Sequence, residues 1–417
     1  LIALSGTVFS QGFLKKLKEK AANVGSDLIT KKGAQKTEQV IDGATKKGNG
    51  NKDKSGKVND EKRDGGANST QKANHLASYS KFDFVPGDKI VYAENFDQDV
   101  IGEFPLKWFT NGSAEVVTVD GLAGRWLKLV SGRTLTPTVK FPPNFTFEYD
   151  LLVNLPVKTT AVYPAWQFQI YDGGDKALKL SYGGHKLNNM LNFKTRFPAE
   201  YADVKMDATE KGIVKLNTEW NRLRDFSRYY GGGVVHVAMT VQGERFRMWF
   251  NDEKVMDVPT AVALNHSFNQ IQFEAAKVRE GYPAFYVGNI KLAEGKADTR
   301  SKLMDEGRFV TTGIQFDSGS DKIKPISTGI IKEIAAALKD NAIQVRIIGH
   351  TDDEGGAESN LLLSKKRAEA VKKMLVDDYG ISEISILTDG KGAGQPVGDN
   401  KTSTGKAQNR RVEFVKV

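Results

Sequence analysis

The rhythm of apolar and polar positions changes three times along the chain. Leu14, Leu17, Ala21, Val24 and Leu28 recur at spacings of three and four, with lysines between them, which predicts an amphipathic helical segment within 12–45. From Lys46 to His75 the apolar residues are reduced to Val58 and two alanines among Gly, Asn, Lys, Asp and Ser, so 46–80 is expected to be a flexible linker. Beyond Lys81 the period becomes two. Phe145, Phe147, Tyr149 and Leu151 alternate with Thr146, Glu148 and Asp150. Val235, Val237, Met239 and Val241 lead through Gly243 into Phe246, Met248 and Phe250, before a turn at Asn251-Asp252. This alternation predicts an all-β domain over 81–296.

Over 305–417 the two rhythms interleave. Strands are expected at 310–316, 343–349, 384–387 and 412–415, and helices at 325–338 and 360–376, an α+β sheet in the order βαβαββ. The second helix carries Leu361, Ala368, Val371 and Leu375 on one stripe and meets a stop signal at Tyr379-Gly380. The strand before it delivers His350, Thr351 and Asp352 into a loop containing Gly355 and Gly356. Asn360, Ser364 and Arg367 follow at i, i+4 and i+7 and so share one helix face. A carboxylate takes an ammonium as a point charge and a guanidinium takes a carboxylate through two parallel hydrogen bonds, so Asp352 with Arg367 suits a zwitterion. His350 has no second His or Cys nearby and only five histidines exist in the chain, which favours a structural role over metal or acid–base chemistry.

Several separated motifs agree in order and spacing with one family. They are Phe316-Asp317, Gly349-His350-Thr351-Asp352, Asn360, Leu363-Ser364, Arg367-Ala368, Gly390-Lys391-Gly392 with Gln395-Pro396-Val397, and Asn409-Arg410-Arg411-Val412-Glu413. In these the last quarter of the chain resembles the OmpA/MotB C-terminal family of periplasmic peptidoglycan-binding domains. The resemblance implies that Asp352 and Arg367 hold the diaminopimelate of a stem peptide, with Phe316, Asp317, Asn360, Leu363 and Arg411 close to the peptide. No cofactor and no metal are expected. Asp353-Glu354 departs from the family's more usual small polar residues and adds negative charge beside the ammonium subsite.

The middle domain is similar in pattern to concanavalin-like or laminin-G-like jelly rolls, through Glu94 to Asp97, Gly102 to Trp108, Val235-His236-Val237, Arg247 to Asn251 and Phe285 to Ile290. All five tryptophans, Trp108, Trp126, Trp166, Trp220 and Trp249, fall in it. They suit either sugar stacking or a sandwich core. Glu148 and Asp150 share a strand face, but no third acid follows at Leu152 or Val153, as the Glu-x-Asp-x-Glu pattern of jelly-roll glycosidases requires. A transmembrane β-barrel is the alternative for this region; charged stretches such as Glu219 to Asp225 break its rhythm.

Composition refines the picture. The chain has 417 residues and a formal charge of +9, but residues 1–80 hold fifteen Lys/Arg against eight Asp/Glu, so the basic excess belongs mainly to the tail and argues against nucleic acid as partner. Residues 1–11 resemble the end of a secretory signal, with cleavage expected near Gln11. The sequence contains no cysteine, so neither a disulfide nor a lipidated N-terminal cysteine is expected, and it contains no apolar run of about eighteen residues that would retain a membrane helix or serve a motor stator. The expectation is therefore a noncatalytic anchor, periplasmic and associated with the outer membrane without being a lipoprotein. It would join the outer membrane or one of its protein complexes to peptidoglycan. The alternative is a lectin or adhesin whose jelly roll binds a glycan while the C-terminal domain localises it; a glycoside hydrolase ranks third.

Overall fold

In the computed structural model, which describes residues 82–157, 163–174, 189–198, 200–274, 283–295, 299–341 and 343–417, the alternating stretches become the strands of two sheets packed as a β-sandwich. One sheet runs Glu253–Val258, Arg245–Phe250, Gly233–Gln242, Phe145–Val153, Phe285–Glu294, Trp126–Ser131, Ser113–Val117, with Lys89–Glu94 also paired to Phe285–Glu294. The other runs Ile213–Asn217, Ala202–Glu210, Asn189–Arg196, Trp166–Tyr171, Gln270–Glu274, Arg133–Leu135, Phe109–Thr110, with Asn221–Leu223 beside Ala202–Glu210. Every pairing in both sheets is antiparallel among the described residues. The signal, helical and linker expectations for 1–11, 12–45 and 46–80 lie outside the described residues.

The inward side of each strand carries the residues that the alternation assigns to it. Phe145, Phe147, Tyr149 and Leu151 join Val235, Val237, Met239, Val241, Phe246, Met248 and Phe250 in one core. Each such side chain contributes about 1.5–3 kcal/mol by leaving water. Phe168 stacks on Phe193 at 4.4 Å between ring centroids. Trp166 donates its indole N–H to Tyr149 Oη at 3.1 Å, which satisfies the polar atom that a buried tryptophan brings with it. Trp108 and Trp166 belong to this core, whereas Trp220 is partly exposed, with the Arg196 guanidinium 3.8 Å above its ring.

The outer face of an antiparallel sheet ordinarily meets water, yet every residue of the Phe145–Val153 strand is buried. The C-terminal part of the chain covers it. Residues 82–88 run between the two. Phe84 packs on Trp249 at 5.2 Å, Asp83 accepts the Trp249 indole N–H at 3.2 Å and pairs with Lys254 at 2.7 Å, and Val85 enters the C-terminal core. A Cβ on Gly329 would lie 2.0 Å from the Phe84 carbonyl oxygen, so the start of the next helix can close on this strap only because residue 329 is glycine.

The C-terminal sheet runs Arg308–Thr311, Val412–Lys416, Val345–Gly349, Ile386–Gly390, with only the last pair parallel. Its helices are Thr299–Asp305, Thr328–Asn341, Ala357–Asp377 and Ser403–Asn409. The first and last of these go beyond βαβαββ. Each has seven residues, too short to show a helical period, and Ser-Thr-Gly-Lys-Ala-Gln-Asn has no apolar stripe at all. The first strand is shorter than 310–316: past Thr311 the chain leaves the ladder, and Phe316 makes only an isolated bridge to Ile323. On the long helix Leu361 is 51% exposed, and the buried row is Asn360, Ser364, Ala368, Val371 and Leu375. Polar residues take its first turns because that end of the helix faces backbone: Ser364 Oγ accepts the Gly392 N–H at 2.9 Å. The helix closes as expected, with Gly380 left-handed at φ 66°.

Candidate functional site

The Val345–Gly349 strand ends beneath the long helix. A Cβ on Gly349 would sit 2.1 Å from the Ser364 carbonyl oxygen, so glycine at 349 sets how closely helix and strand approach. Just beyond, the His350 N–H bonds to the Arg411 carbonyl and the Thr351 N–H to the Gly392 carbonyl, each at 3.0 Å. These bonds hold the segment carrying Asp352 from both sides. Asp352 is 7% exposed. Asn360 donates to the Asp352 carbonyl at 3.3 Å and to the Glu354 carbonyl at 2.9 Å, locking the loop to the helix. Arg410 pairs with the Asp352 carboxylate, and Lys406 with Glu354.

Arg367 is half-buried on the same helix. Its Nε donates to the Ser320 carbonyl at 2.9 Å, and its guanidinium lies 4.9 Å from the centroid of the Phe316 ring. Burial draws its pKa down, opposed by the nearby Asp352 and reinforced by Arg410. A guanidinium stays charged through such a shift. Asp317 on the neighbouring loop pairs with Lys322 at 3.2 Å. Phe316, Asp317, Asp352, Asn360, Leu363, Arg367 and Arg411 all line one cleft of about 950 Å³.

Arg411 nevertheless points its charge elsewhere. Its Nη2 lies 2.7 Å from Glu413 Oε1, and the fully buried His350 Nε2 lies 3.1 Å from the same oxygen, while Arg308 takes Glu413 Oε2 at 2.7 Å. Burial alone would raise the Glu413 pKa, but His350 and Arg411 outweigh it and hold it at about 2. Its neighbour Arg410 is the group on Asp352, a pairing that sequence spacing does not reveal, since the two positions are 58 apart. Asn409, fully buried, accepts the N–H groups of Val397 at 2.7 Å and Gly398 at 2.9 Å, which fixes the turn after Gln395-Pro396. No cluster of His, Cys, Asp and Glu able to hold a metal occurs among the described residues.

A profile described as the OmpA family matches residues 315–410. The peptidoglycan-associated lipoprotein of Pseudomonas aeruginosa is 32% identical over 133 residues, which cover 32% of this chain and 76% of that protein. The chain belongs to the OmpA family. The probable lipoprotein YiaD of Escherichia coli K12 is 40% identical over 131 residues, 28% of this chain and 59% of YiaD, so little more than half of that relative is spanned. Among solved structures, the peptidoglycan-associated lipoprotein of Burkholderia pseudomallei is 29% identical with a TM-score of 0.24, covering 28% of this chain and 98% of that one.

The sandwich supplies the wall of the cleft that faces the OmpA-family residues. There Glu148, Asp150, His236, Asn289 and Lys291 form a charged network. His236 lies with Nδ1 2.6 Å from Asp150 Oδ1 and Nε2 3.2 Å from Glu148 Oε2. Burial would lower its pKa, but Asp150 and Glu148 outweigh burial and push it up to about 9. Lys291 Nζ lies 2.8 Å from Glu148 Oε1, and Asn289 donates to Asp150 Oδ2 at 2.7 Å. Both carboxyl groups are thereby held below their ordinary pKa despite the opposing effect of burial. From the OmpA-family side, Gln315 donates to Glu148 Oε2 at 3.3 Å and the Lys324 charge favours the Asp150 carboxylate. Glu148 and Asp150, considered in sequence as a glycosidase pair, are each engaged by His236. Alternation places them on one face, but nothing in the sequence marks His236, 86 and 88 positions away, as their partner.

Proposed function

We propose that this chain is a noncatalytic anchor that holds peptidoglycan through its C-terminal domain. The observation carrying this reading is the buried Asp352 carboxylate and the half-buried Arg367 guanidinium lining one cleft, at motif positions of a family that includes a peptidoglycan-associated lipoprotein. A zwitterion entering that cleft gives up water at both ends and recovers the cost only if each end finds its counter-charge. The side chain of diaminopimelate ends in such a zwitterion: its ammonium meets Asp352 and its carboxylate the fork of Arg367, with Asn360 fixing the loop, Phe316 flanking the guanidinium, and Asp317, Leu363 and Arg411 completing the surroundings. We place the protein in the periplasm, tying the outer membrane or one of its assemblies to the wall.

Sacculus pull-down with the full chain tests this. Asp352→Ala and Arg367→Ala are each expected to lose about 2–5 kcal/mol of binding, enough to abolish a micromolar interaction. Arg367→Lys is expected to fail nearly as badly, because an ammonium cannot form the bidentate contact. Free diaminopimelate should compete, and sacculi with lysine in its place should bind weakly. Undiminished binding by the double alanine variant would refute the anchor.

A further inference from the structure

The sandwich wall of the cleft holds features that serve neither the hydrophobic core nor the Asp352 and Arg367 pair. The Phe285–Glu294 strand is bordered along one edge by two strands laid end to end: Trp126–Ser131 pairs with its first half and Lys89–Glu94 with its second. Where the neighbours change, the register shifts between Gly288 and Lys291, and Asn289 takes φ 50°, a left-handed conformation that asparagine tolerates better than other residues with side chains. The bulge turns Asn289 outward, exposed in the cleft. Next to it a Cβ on Gly288 would lie 3.1 Å from the Trp126 ring, so glycine there lets the indole lie close against the strand. Trp126 lines the cleft, is 3% exposed, and its indole N–H has no hydrogen-bond partner among the described residues. A buried donor left unmade is costly, and one on the wall of a polar cleft is placed to meet a ligand.

The chemistry of that ligand follows from the charges around the notch. Glu148 and Asp150 are balanced by His236 and Lys291, and the other two acids of this wall are already engaged, Glu94 by the Phe96 N–H and the Ser403 hydroxyl and Asp97 by the charges of Lys406, Arg410 and Arg125, so no charge is left unanswered at the notch. What it offers is an indole donor and a carboxamide, of which one N–H is spent on Asp150 while its other N–H and its oxygen have no side-chain partner among the described residues. These groups suit a neutral molecule rich in hydroxyl and amide groups. The facing wall suits a zwitterion. A cleft of about 950 Å³ stands at the upper end of the roughly 300–1,000 Å³ that enclose a drug-sized ligand, well beyond one amino-acid head group.

We propose that the Trp126 and Asn289 notch is a saccharide subsite, taking the N-acetylated amino sugar that bears the stem peptide while the zwitterion of that peptide sits between Asp352 and Arg367. The indole N–H donates to the acetamide carbonyl, and the Asn289 amide exchanges hydrogen bonds with ring hydroxyls. This assignment rests on the anchoring reading and extends it: the sandwich becomes part of the recognition surface.

Titration calorimetry on the full chain separates the two. One probe is a synthetic diaminopimelate-containing tripeptide; the other is the same peptide joined through its amide to N-acetylmuramic acid. The sugar-bearing probe is expected to bind on the order of tenfold more tightly. Trp126→Phe, which removes the donor, and Asn289→Gly, which accepts the left-handed backbone without strain, should each remove most of that gain while leaving the affinity for the bare peptide within about twofold. Equal affinity of both probes for the unaltered chain, or variants that weaken both probes alike, would overturn the subsite. If neither probe binds, the anchoring reading itself falls and the subsite with it.

Discussion

Replacing His236 with glutamine tests the junction between the two walls. At neutral pH the imidazolium sits between two carboxylates whose side chains are 1% and 12% exposed. Glutamine keeps the approximate size and an amide NH2 group but deletes the charge, leaving two buried anions with Lys291 and Lys324 as their remaining counter-charges among the described residues. Removing one partner of a buried charge network costs about 3–5 kcal/mol. A separate route gives a similar size. A histidine raised from its ordinary 6.5 to about 9 contributes at most about 3 kcal/mol, and the lowered pKa values of Glu148 and Asp150 express the same interaction, so they are not counted again. For a body of this size each kcal/mol moves the melting temperature by roughly 2 °C, so a loss of about 6–10 °C is expected near pH 6. The pH dependence gives the sign. Because the folded pKa of His236 lies above the unfolded one, its contribution is complete below about 6.5 and is lost as pH rises through about 9. The carboxylates, depressed in the folded state, contribute above their ordinary range and lose that contribution on acidification. The deficit of His236→Gln should therefore be largest between about pH 4.5 and 6.5 and shrink on either side. Differential scanning calorimetry of both proteins from pH 4 to 10 measures it. A variant melting within 2 °C of the parent at pH 6, or a difference flat to pH 9.5, would refute the account.

Gly349→Ala should destabilise by several kcal/mol, since its Cβ would meet the Ser364 carbonyl oxygen at 2.1 Å and push the long helix off the sheet; the urea midpoint of unfolding reads this directly. Glu413, with a folded pKa of about 2, contributes stability above its ordinary range that disappears as pH falls toward 2. Glu413→Gln should flatten acid unfolding between about pH 4.5 and 2, followed by circular dichroism. Arg410→Ala should leave the fold intact and free the Asp352 carboxylate, tightening sacculus binding by about two- to fivefold, the worth of a partly exposed ion pair; weaker binding would instead assign Arg410 to the ligand's carboxylate.

What the sequence made legible was what local periodicity controls. Phe145 to Leu151 and Val235 to Val241 gave inward faces because period-two alternation maps directly onto a pleated strand. Asn360, Ser364 and Arg367 fell on one face because a long helix has enough turns to establish its phase. Leu361 keeps the spacing of Ser364, Ala368, Val371 and Leu375 but is exposed, because the first turns of the helix face backbone and bury Asn360 and Ser364 instead. The long-range partners escaped entirely. His236 with Glu148 and Asp150, Arg410 with Asp352, and Val85 within the C-terminal core join positions that no local pattern connects. The burial of Thr146, Glu148 and Asp150 depends on which domain comes to rest on the sheet, and alternation alone reports only that they face away from the sandwich core.

The strap formed by residues 82–88 has a mechanical consequence. Because Val85 is seated among the side chains of the C-terminal core and Phe84 lies against Gly329, tension applied at residue 82 reaches the OmpA-family domain directly. The sandwich sits beside this line of force, joined to it through the Trp249 contact with Phe84 and the pairing of Lys89–Glu94 with Phe285–Glu294. A pull applied at residue 82 would then be shared between the two domains, resisted by Asp83 and Phe84 on Trp249 and Lys254 of the sandwich and by the seating of Val85 in the C-terminal core.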